Sequence, residues 1–241
     1  MSRLVVVGAH GRMGRLIDEV VAGMDGHEVV QRIGSADPLV LAPEADAVVD
    51  VTLPQVSPDV VRAAGEASLP VLVGTSGWSA ERLGPLRARG EDAPAVLVVP
   101  NFSIGAVLAA RFAEQAATWF DSIEIVEAHH AGKADSPSGT AVATAERIAA
   151  ARAGLGPVSA PHPDQRARGQ QVGSVPVHSL RLDGVLAQQE VLLGGPGEVL
   201  TITHRTGSPE AYRAGIRLAV EALPRLRGLV VGLEPLLAGR P

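Results

Sequence analysis

One short segment concentrates the chemistry of this chain. Residues 127–140 read EAHHAGKADSPSGT, with His129, His130 and Lys133 inside five residues and a turn of Ser138, Gly139 and Thr140 after them. Lys133 is the sole lysine of the chain. Histidine and lysine can each hand over a proton when their pKa values suit. A helix N-terminus offers unsatisfied N–H groups and a positive dipole end, so Ser138, Gly139 and Thr140 can receive a carboxylate there. His130 and Lys133 can pair with a second carboxylate. The pattern describes a place for a small dianionic dicarboxylate, with His129 and Lys133 as candidates for moving a proton. A zinc set of His129, His130 and Asp135 is disfavoured. Adjacent strand histidines point to opposite faces, and the spacing is not a common zinc pattern. No metal is expected.

A second constellation opens the chain. LVVVG at 4–8 reads as a short buried strand, and glycines follow at Gly8, Gly11 and Gly14 before an apolar-periodic helix. The spacing G-x-x-G-x-x-G differs from the usual G-x-G-x-x-G, because His10 stands where the middle glycine is expected. The physical case remains. A strand, a tight turn and a helix N-terminus present N–H groups to a phosphate, and Arg12 can add a charge-assisted bond. The acid that ends strand two in NAD-binding domains is missing from Val30–Ser35, and Arg32 and Ser35 stand there instead. That composition predicts NADPH use, or use of both NADPH and NADH.

Strands and helices must position these groups. Strands are expected at Leu4–Gly8, His27–Ile33, Ala47–Thr52, Val71–Gly74 and Ala95–Val99, with helices at Met13–Met24, Val56–Ala67 and Ala80–Arg89. That alternation is the doubly wound pattern. Its polar strand ends converge on one crevice. After Gly105 the pattern changes. A helix at Ala106–Ala117, a strand at Ser122–Ala128 and a helix at Thr140–Arg152 precede a long loop at Pro157–Gly173. Antiparallel strands at Val175–Leu182, Val185–Leu192 and Glu198–His204 follow, joined by turns at Asp183-Gly184 and at 194–197. A helix at Pro209–Leu223 and an apolar tail at Leu226–Leu237 end the chain. The expected fold class is α/β. A Rossmann-like doubly wound nucleotide domain, residues 1–104 and 209–241, accompanies a smaller α+β substrate and oligomerisation domain, residues 105–208, with a mixed or antiparallel sheet. Gly105 and the stretch before Pro209 are the expected hinges. A four-strand sheet with one apolar face and few helices to cover it predicts sheet-to-sheet self-association.

Composition bounds the rest. The 241 residues are 46% hydrophobic and 20% charged, which supports a core. Cysteine is absent, which excludes disulfides, thiolate nucleophiles and cysteine-based metal sites. A net charge of −5 without a basic block argues against nucleic acid. Neither a signal peptide nor a membrane span is read, so a cytoplasmic location is expected.

The motifs GAHGRMG (8–14), VDVT (49–52), GTSGW (74–78), VPNFSIG (99–105), EAHHAGKADSPSGTA (127–141), VPVHSLRLDG (175–184) and QEVLLGGPGEVLTITHR (189–205) resemble the 4-hydroxy-tetrahydrodipicolinate reductase family over nearly the whole chain. The resemblance implies a cytoplasmic homotetramer of lysine and diaminopimelate biosynthesis that uses NADH or NADPH. It implies protonation by His129 and Lys133, and substrate carboxylates held by His130, Lys133, Ser138, Gly139 and Thr140. On the cofactor side it implies that Gly74, Thr75, Pro100, Asn101 and Phe102 border the nicotinamide; with the residues read from the glycine turn and strand ends, Gly8, His10, Gly11, Arg12, Met13, Gly14, Arg32 and Thr52, these form the expected cofactor set. Val51 and Leu53 flank Thr52 where many members carry an aromatic and a basic residue. The alternatives are a related NAD(P)-dependent oxidoreductase acting on another small carboxylate, and a non-catalytic nucleotide sensor.

Overall fold

The computed structural model describes residues 2–237. Met1 and residues 238–241, placed by sequence in the first domain, lie outside the described residues. The chain divides into two compact units, one of residues up to Ile104 together with those from Tyr212, the other Gly105–Ala211.

The first unit runs β1 (Ser2–Val7), α1 (Arg12–Ala22), β2 (His27–Ile33), β3 (Ala47–Asp50), α2 (Ser57–Glu66), β4 (Val71–Val73), α3 (Ala80–Arg87) and β5 (Val96–Val98). Leu4, Val5, Val6 and Val7 are all buried. A strand can be apolar on both faces only where both faces are covered. Val5 and Val7 pack with Val60, Val61 and Ala64 of α2. α1 turns Leu16, Ile17, Val20 and Val21 inward, at the spacing of one helical face.

The second unit contains α4 (Ile104–Ala116), whose first residue still belongs to the first unit, and then β6 (Ser122–His129), α5 (Gly139–Ala151), β7 (Gln170–Val172), β8 (Val175–Arg181), β9 (Ala187–Gly195) and β10 (Glu198–Thr206). The chain then re-enters the first unit through α6 (Arg213–Ala222), β11 (Leu229–Val231) and α7 (Glu234–Leu237). β11 pairs in parallel with β5, so the expected apolar tail is a sheet strand. The first sheet has the order β11-β5-β4-β3-β1-β2, with parallel pairing throughout. Its direction of winding reverses between β1 and β3. In such sheets ligands bind beyond the strand ends at that point.

The second sheet has the order β10-β9-β6-β8-β7 and is mixed. Three expectations are corrected here. β8 and β9 do not form a hairpin, because β6 lies between them, parallel to β8 and antiparallel to β9. The stretch expected to be a long loop contains β7, which pairs with β8. The apolar face is not short of cover: Ala113 and Ala117, with Ala141, Ala145 and Ile148 of α5, pack on Ile123, Ile125, Val177, Val191 and Leu193. Alanine lets these helices approach the sheet closely, which is how two helices cover five strands in a chain with few aromatic residues.

The buried Arg152 closes this layer. Its guanidinium donates to the carbonyls of Ala117 and Phe120 at the end of α4 and to Asp121 Oδ1. A cation belongs at a helix C-terminus, where the last carbonyls lack partners.

Candidate active site

The glycine turn comes first. Gly8 has φ +86°, and a Cβ there would lie 2.4 Å from the Val51 carbonyl oxygen. Only glycine fits both constraints. Gly11 caps α1 with no side-chain hydrogen bond. The first-turn N–H groups of Arg12 and Met13 therefore have no intrahelical or capping acceptor, as a phosphate cradle requires. Gly14 is buried against the turn backbone. His10 and Arg12 are exposed. Arg32 is ion-paired to Asp18 of α1 at 2.5 Å, with both side chains substantially exposed.

Beside this turn lies a buried acid that the sequence shows only as part of the VDVT motif. Asp50 closes β3. Its Oδ1 accepts the Thr52 amide at 3.0 Å and the Thr52 hydroxyl at 2.6 Å, and its Oδ2 accepts the Ser57 hydroxyl. Trp78 Nε1 donates to Ser57 Oγ at 3.0 Å. Asp50 thus fixes the VDVT loop from below. Gly74 lies where a Cβ would press on the Phe102 ring at 2.7 Å, and Phe102 is itself buried. Thr75 is buried, with its hydroxyl 3.5 Å from the Asp50 carbonyl oxygen. Pro100 is exposed, and Asn101 Oδ1 accepts the Ser103 amide at 2.8 Å. These loops follow β3, β4 and β5 at one edge of the sheet, the same edge as the glycine turn.

The second cluster belongs to the other unit and is built around Glu127. This carboxylate is fully buried on β6. It accepts Arg181 through two bonds of 2.9 Å, the Ser138 amide at 3.1 Å, and His129 Nδ1 at 2.6 Å. Strand geometry explains the convergence. Residues 127 and 129 share one face of β6, and the parallel register sets Ser179 beside Glu127 and Arg181 beside His129. Burial pushes the Glu127 carboxyl up, but bonds from Arg181, Ser179, His129 and Ser138 outweigh it and hold the group below its ordinary value. A carboxylate only accepts, so the His129 proton sits on Nδ1 and Nε2 presents a lone pair. Burial, joined by the nearby charges of Lys133 and Arg181, lowers His129 below its ordinary value against the raising effect of Glu127. His129 at rest is a neutral base.

The loop after β6 supplies the remaining groups. Lys133 Nζ donates to Asp135 Oδ1 at 2.6 Å, and the Lys133 amide donates to the His130 carbonyl at 3.1 Å. Arg181 also donates to the Asp135 carbonyl at 2.5 Å. Lys133 holds Asp135 below the ordinary carboxylate range. Ser138 caps α5, its Oγ accepting the Ala141 amide at 3.2 Å. With its own amide donated to Glu127, its hydroxyl proton is what it can offer a ligand. A Cβ on Gly139 would meet nothing within 4 Å, so the helix N-terminus opens onto space there. Thr140 follows in the same first turn, its carbonyl accepting the Thr144 hydroxyl at 2.9 Å. Glu127 and Arg181 were missed as site residues. The only sequence signals were an acid two residues before a histidine, and an arginine ending a strand. Among the described residues no three His, Asp or Glu side chains gather as a metal set.

A doubly wound sheet with a phosphate-ready turn, and a separate unit with a cationic cluster at a helix N-terminus, define a two-unit nicotinamide-dependent oxidoreductase. The comparisons are more specific. Residues 2–102 match the profile of dihydrodipicolinate reductase, N-terminus, and residues 105–237 that of its C-terminus. The chain belongs to the dihydrodipicolinate reductase family. It is 56% identical to a 4-hydroxy-tetrahydrodipicolinate reductase of Clavibacter michiganensis, over 98% of this chain and 86% of that one. Identity to the same enzyme of Streptomyces griseus is 46%, over 96% of each chain. A dipicolinate-bound dihydrodipicolinate reductase from Paenisporosarcina sp. TG-14 superposes with a TM-score of 0.79 at 28% identity, covering 98% of this chain and 99% of that one.

Both core groups titrate below their ordinary values, so each contributes stability at high pH that is lost on acidification. The free energy of unfolding in urea is expected to fall as pH drops below 6.5, where unfolded histidine binds a proton, and again below 4.5, where unfolded glutamate does. Arg181→Ala leaves Glu127 buried without its cation. It should cost about 3 kcal/mol at neutral pH and shrink the second fall. A variant as stable as the parent at pH 7 would contradict this account of the cluster.

Proposed function

We propose that this chain reduces 4-hydroxy-tetrahydrodipicolinate to tetrahydrodipicolinate with NADH or NADPH, in lysine and diaminopimelate biosynthesis. The observation that carries the reading is the Glu127 cluster, which draws His129, Arg181 and the α5 N-terminus together, with Lys133 paired to Asp135 in the loop between them. Family membership, and the dipicolinate bound to the Paenisporosarcina relative, support a ring with two carboxylates as the ligand.

When bound, a nicotinamide cofactor would supply a hydride. Its phosphates would be held by the turn of Gly8, Gly11 and Gly14 and by Arg12. Thr52, Gly74, Thr75, Pro100 and Asn101 form the rim for the rest, with Phe102 as packing beneath. Overall a hydride and one proton enter the substrate and one water leaves. Two events need a proton, departure of hydroxide and quenching of the charge that develops on the ring; the ring C–H proton given up as water is eliminated balances one, and the proton that enters balances the other. Lys133 Nζ carries a transferable proton. His129 Nε2 is a base at rest. A dianion arriving beside it favours the imidazolium, and Glu127 stabilises the charge through Nδ1. Gly139, Thr140, the Ser138 hydroxyl and His130 orient the carboxylates. Cationic groups aimed at developing negative charge act most strongly where water is excluded.

The test is oxidation of NADH and NADPH by the purified chain, supplied with substrate made in place by the preceding synthase from pyruvate and aspartate semialdehyde. Oxidation that depends on the synthase is expected. Lys133→Ala should lower kcat by about a hundredfold or more, whereas Thr140→Val should mainly raise KM. Normal turnover in Lys133→Ala would remove it as the acid, and absence of oxidation with cofactor bound would move the function to another substrate or to sensing.

The family resemblance also supports a cytoplasmic homotetramer. Among the described residues no helix is long and apolar enough to cross a membrane. β10 is a nine-residue edge strand with Val199 and Leu200 exposed, the kind of edge that association covers. Sedimentation is expected to give four times the chain mass of 24.8 kDa, and a monomer at micromolar concentration would exclude the tetramer.

A further inference from the structure

The end of β2 holds a feature that composition alone reads in the opposite direction. Gly34 stands immediately after the strand, where the ribose-binding acid of a dinucleotide domain is usually found. The position is not left empty. A Cβ built on Gly34 would lie 3.2 Å from Asp37 Oδ2 and 2.5 Å from the His10 ring. The Asp37 carboxylate is thus folded back onto the place from which a residue-34 side chain would emerge.

The turn that does this is built. The Gly34 amide donates to Asp37 Oδ2 at 2.7 Å, and the Asp37 amide returns a 3.4 Å bond to the Gly34 carbonyl. Downstream, Gln31 clamps the loop from both sides. Its Nε2 donates to the Val40 carbonyl at 2.9 Å, and its Oε1 accepts the Ala42 amide at 2.8 Å. Leu39, Leu41 and Ala42 pack on the core. Asp37 lines a cleft of about 460 Å³ with Arg32 and Val40 among its walls. Arg32 is paired with Asp18 of α1 at the surface.

We infer that Asp37 reads the adenosine ribose of the cofactor from a position three residues beyond the usual one, and that it selects the free 2′-hydroxyl over a 2′-phosphate. The inference rests on the nucleotide reading of the first unit. The carboxylate accepts the ribose hydroxyls through Oδ1 and repels a phosphate dianion. His10 on the glycine turn closes the same corner. Its place explains why that turn tolerates a large residue where a glycine is usual.

Calorimetric titration with ADP-ribose and with 2′-phospho-ADP-ribose isolates this corner from the chemistry. The parent chain should bind ADP-ribose about tenfold tighter or more. Asp37→Asn keeps an acceptor for the Gly34 amide and removes the charge, so the ratio should collapse toward one. Arg32→Ala should leave the ratio in place. An unchanged ratio in Asp37→Asn, or a preference for the phosphorylated fragment that Arg32→Ala abolishes, would overturn the inference. If neither fragment binds to chain with native circular dichroism, the nucleotide reading fails and this inference with it.

Discussion

A single buried carboxylate organises the second unit. Glu127 has lost its water entirely, a cost of several kcal/mol for an isolated ion. It stays charged because four residues from three elements send donors to it: Arg181 and Ser179 from β8, His129 from its own strand, and the Ser138 amide from the start of α5. The same bonds that answer its charge fix a histidine tautomer, orient an arginine and pin a helix N-terminus. Stability and site geometry therefore have one source. Asp50 plays a comparable part in the first unit, holding Thr52 and Ser57 in the loop after β3.

Much of this was legible in the sequence. The doubly wound sheet could be read because its strands are short apolar runs, Leu4–Val7 and Val71–Val73 among them, and buried strands need no alternation. The histidine, lysine and Ser-Gly-Thr residues were legible because they are close in the chain. What could not be read depended on pairing across distance. Val175–Arg181 and Ala187–Gly195 are joined by an Asp-Gly turn that predicts a hairpin, yet β6 inserts between them. Only that insertion brings Arg181 next to His129. Local turn chemistry lost to the burial gained by placing apolar β6 at the sheet centre. Gln170–Val172 was hidden for a different reason: three residues in a stretch rich in proline, glycine and arginine carry no period.

The cofactor end shows the same limit. Composition presents Arg32 as the charged residue at the end of strand two, but the fold gives its guanidinium to Asp18 and bends Asp37 into the gap left by Gly34. A residue's number along a strand does not fix which side chain occupies a given point in space. Short turns with their own hydrogen bonds can move a functional group by three positions.

The chemistry of the second unit turns on the protonation of His129. Nitrogen-15 NMR of the imidazoles, with His129 identified by its loss in His129→Asn, measures this directly. With Glu127 intact, the neutral ring should carry its proton on Nδ1 and reach half-charge only below 6.5, the ordinary histidine value. In Glu127→Gln the tautomer preference should be lost. An imidazolium at neutral pH, or a proton resident on Nε2 beside an intact Glu127, would contradict the claim that this buried carboxylate sets the site.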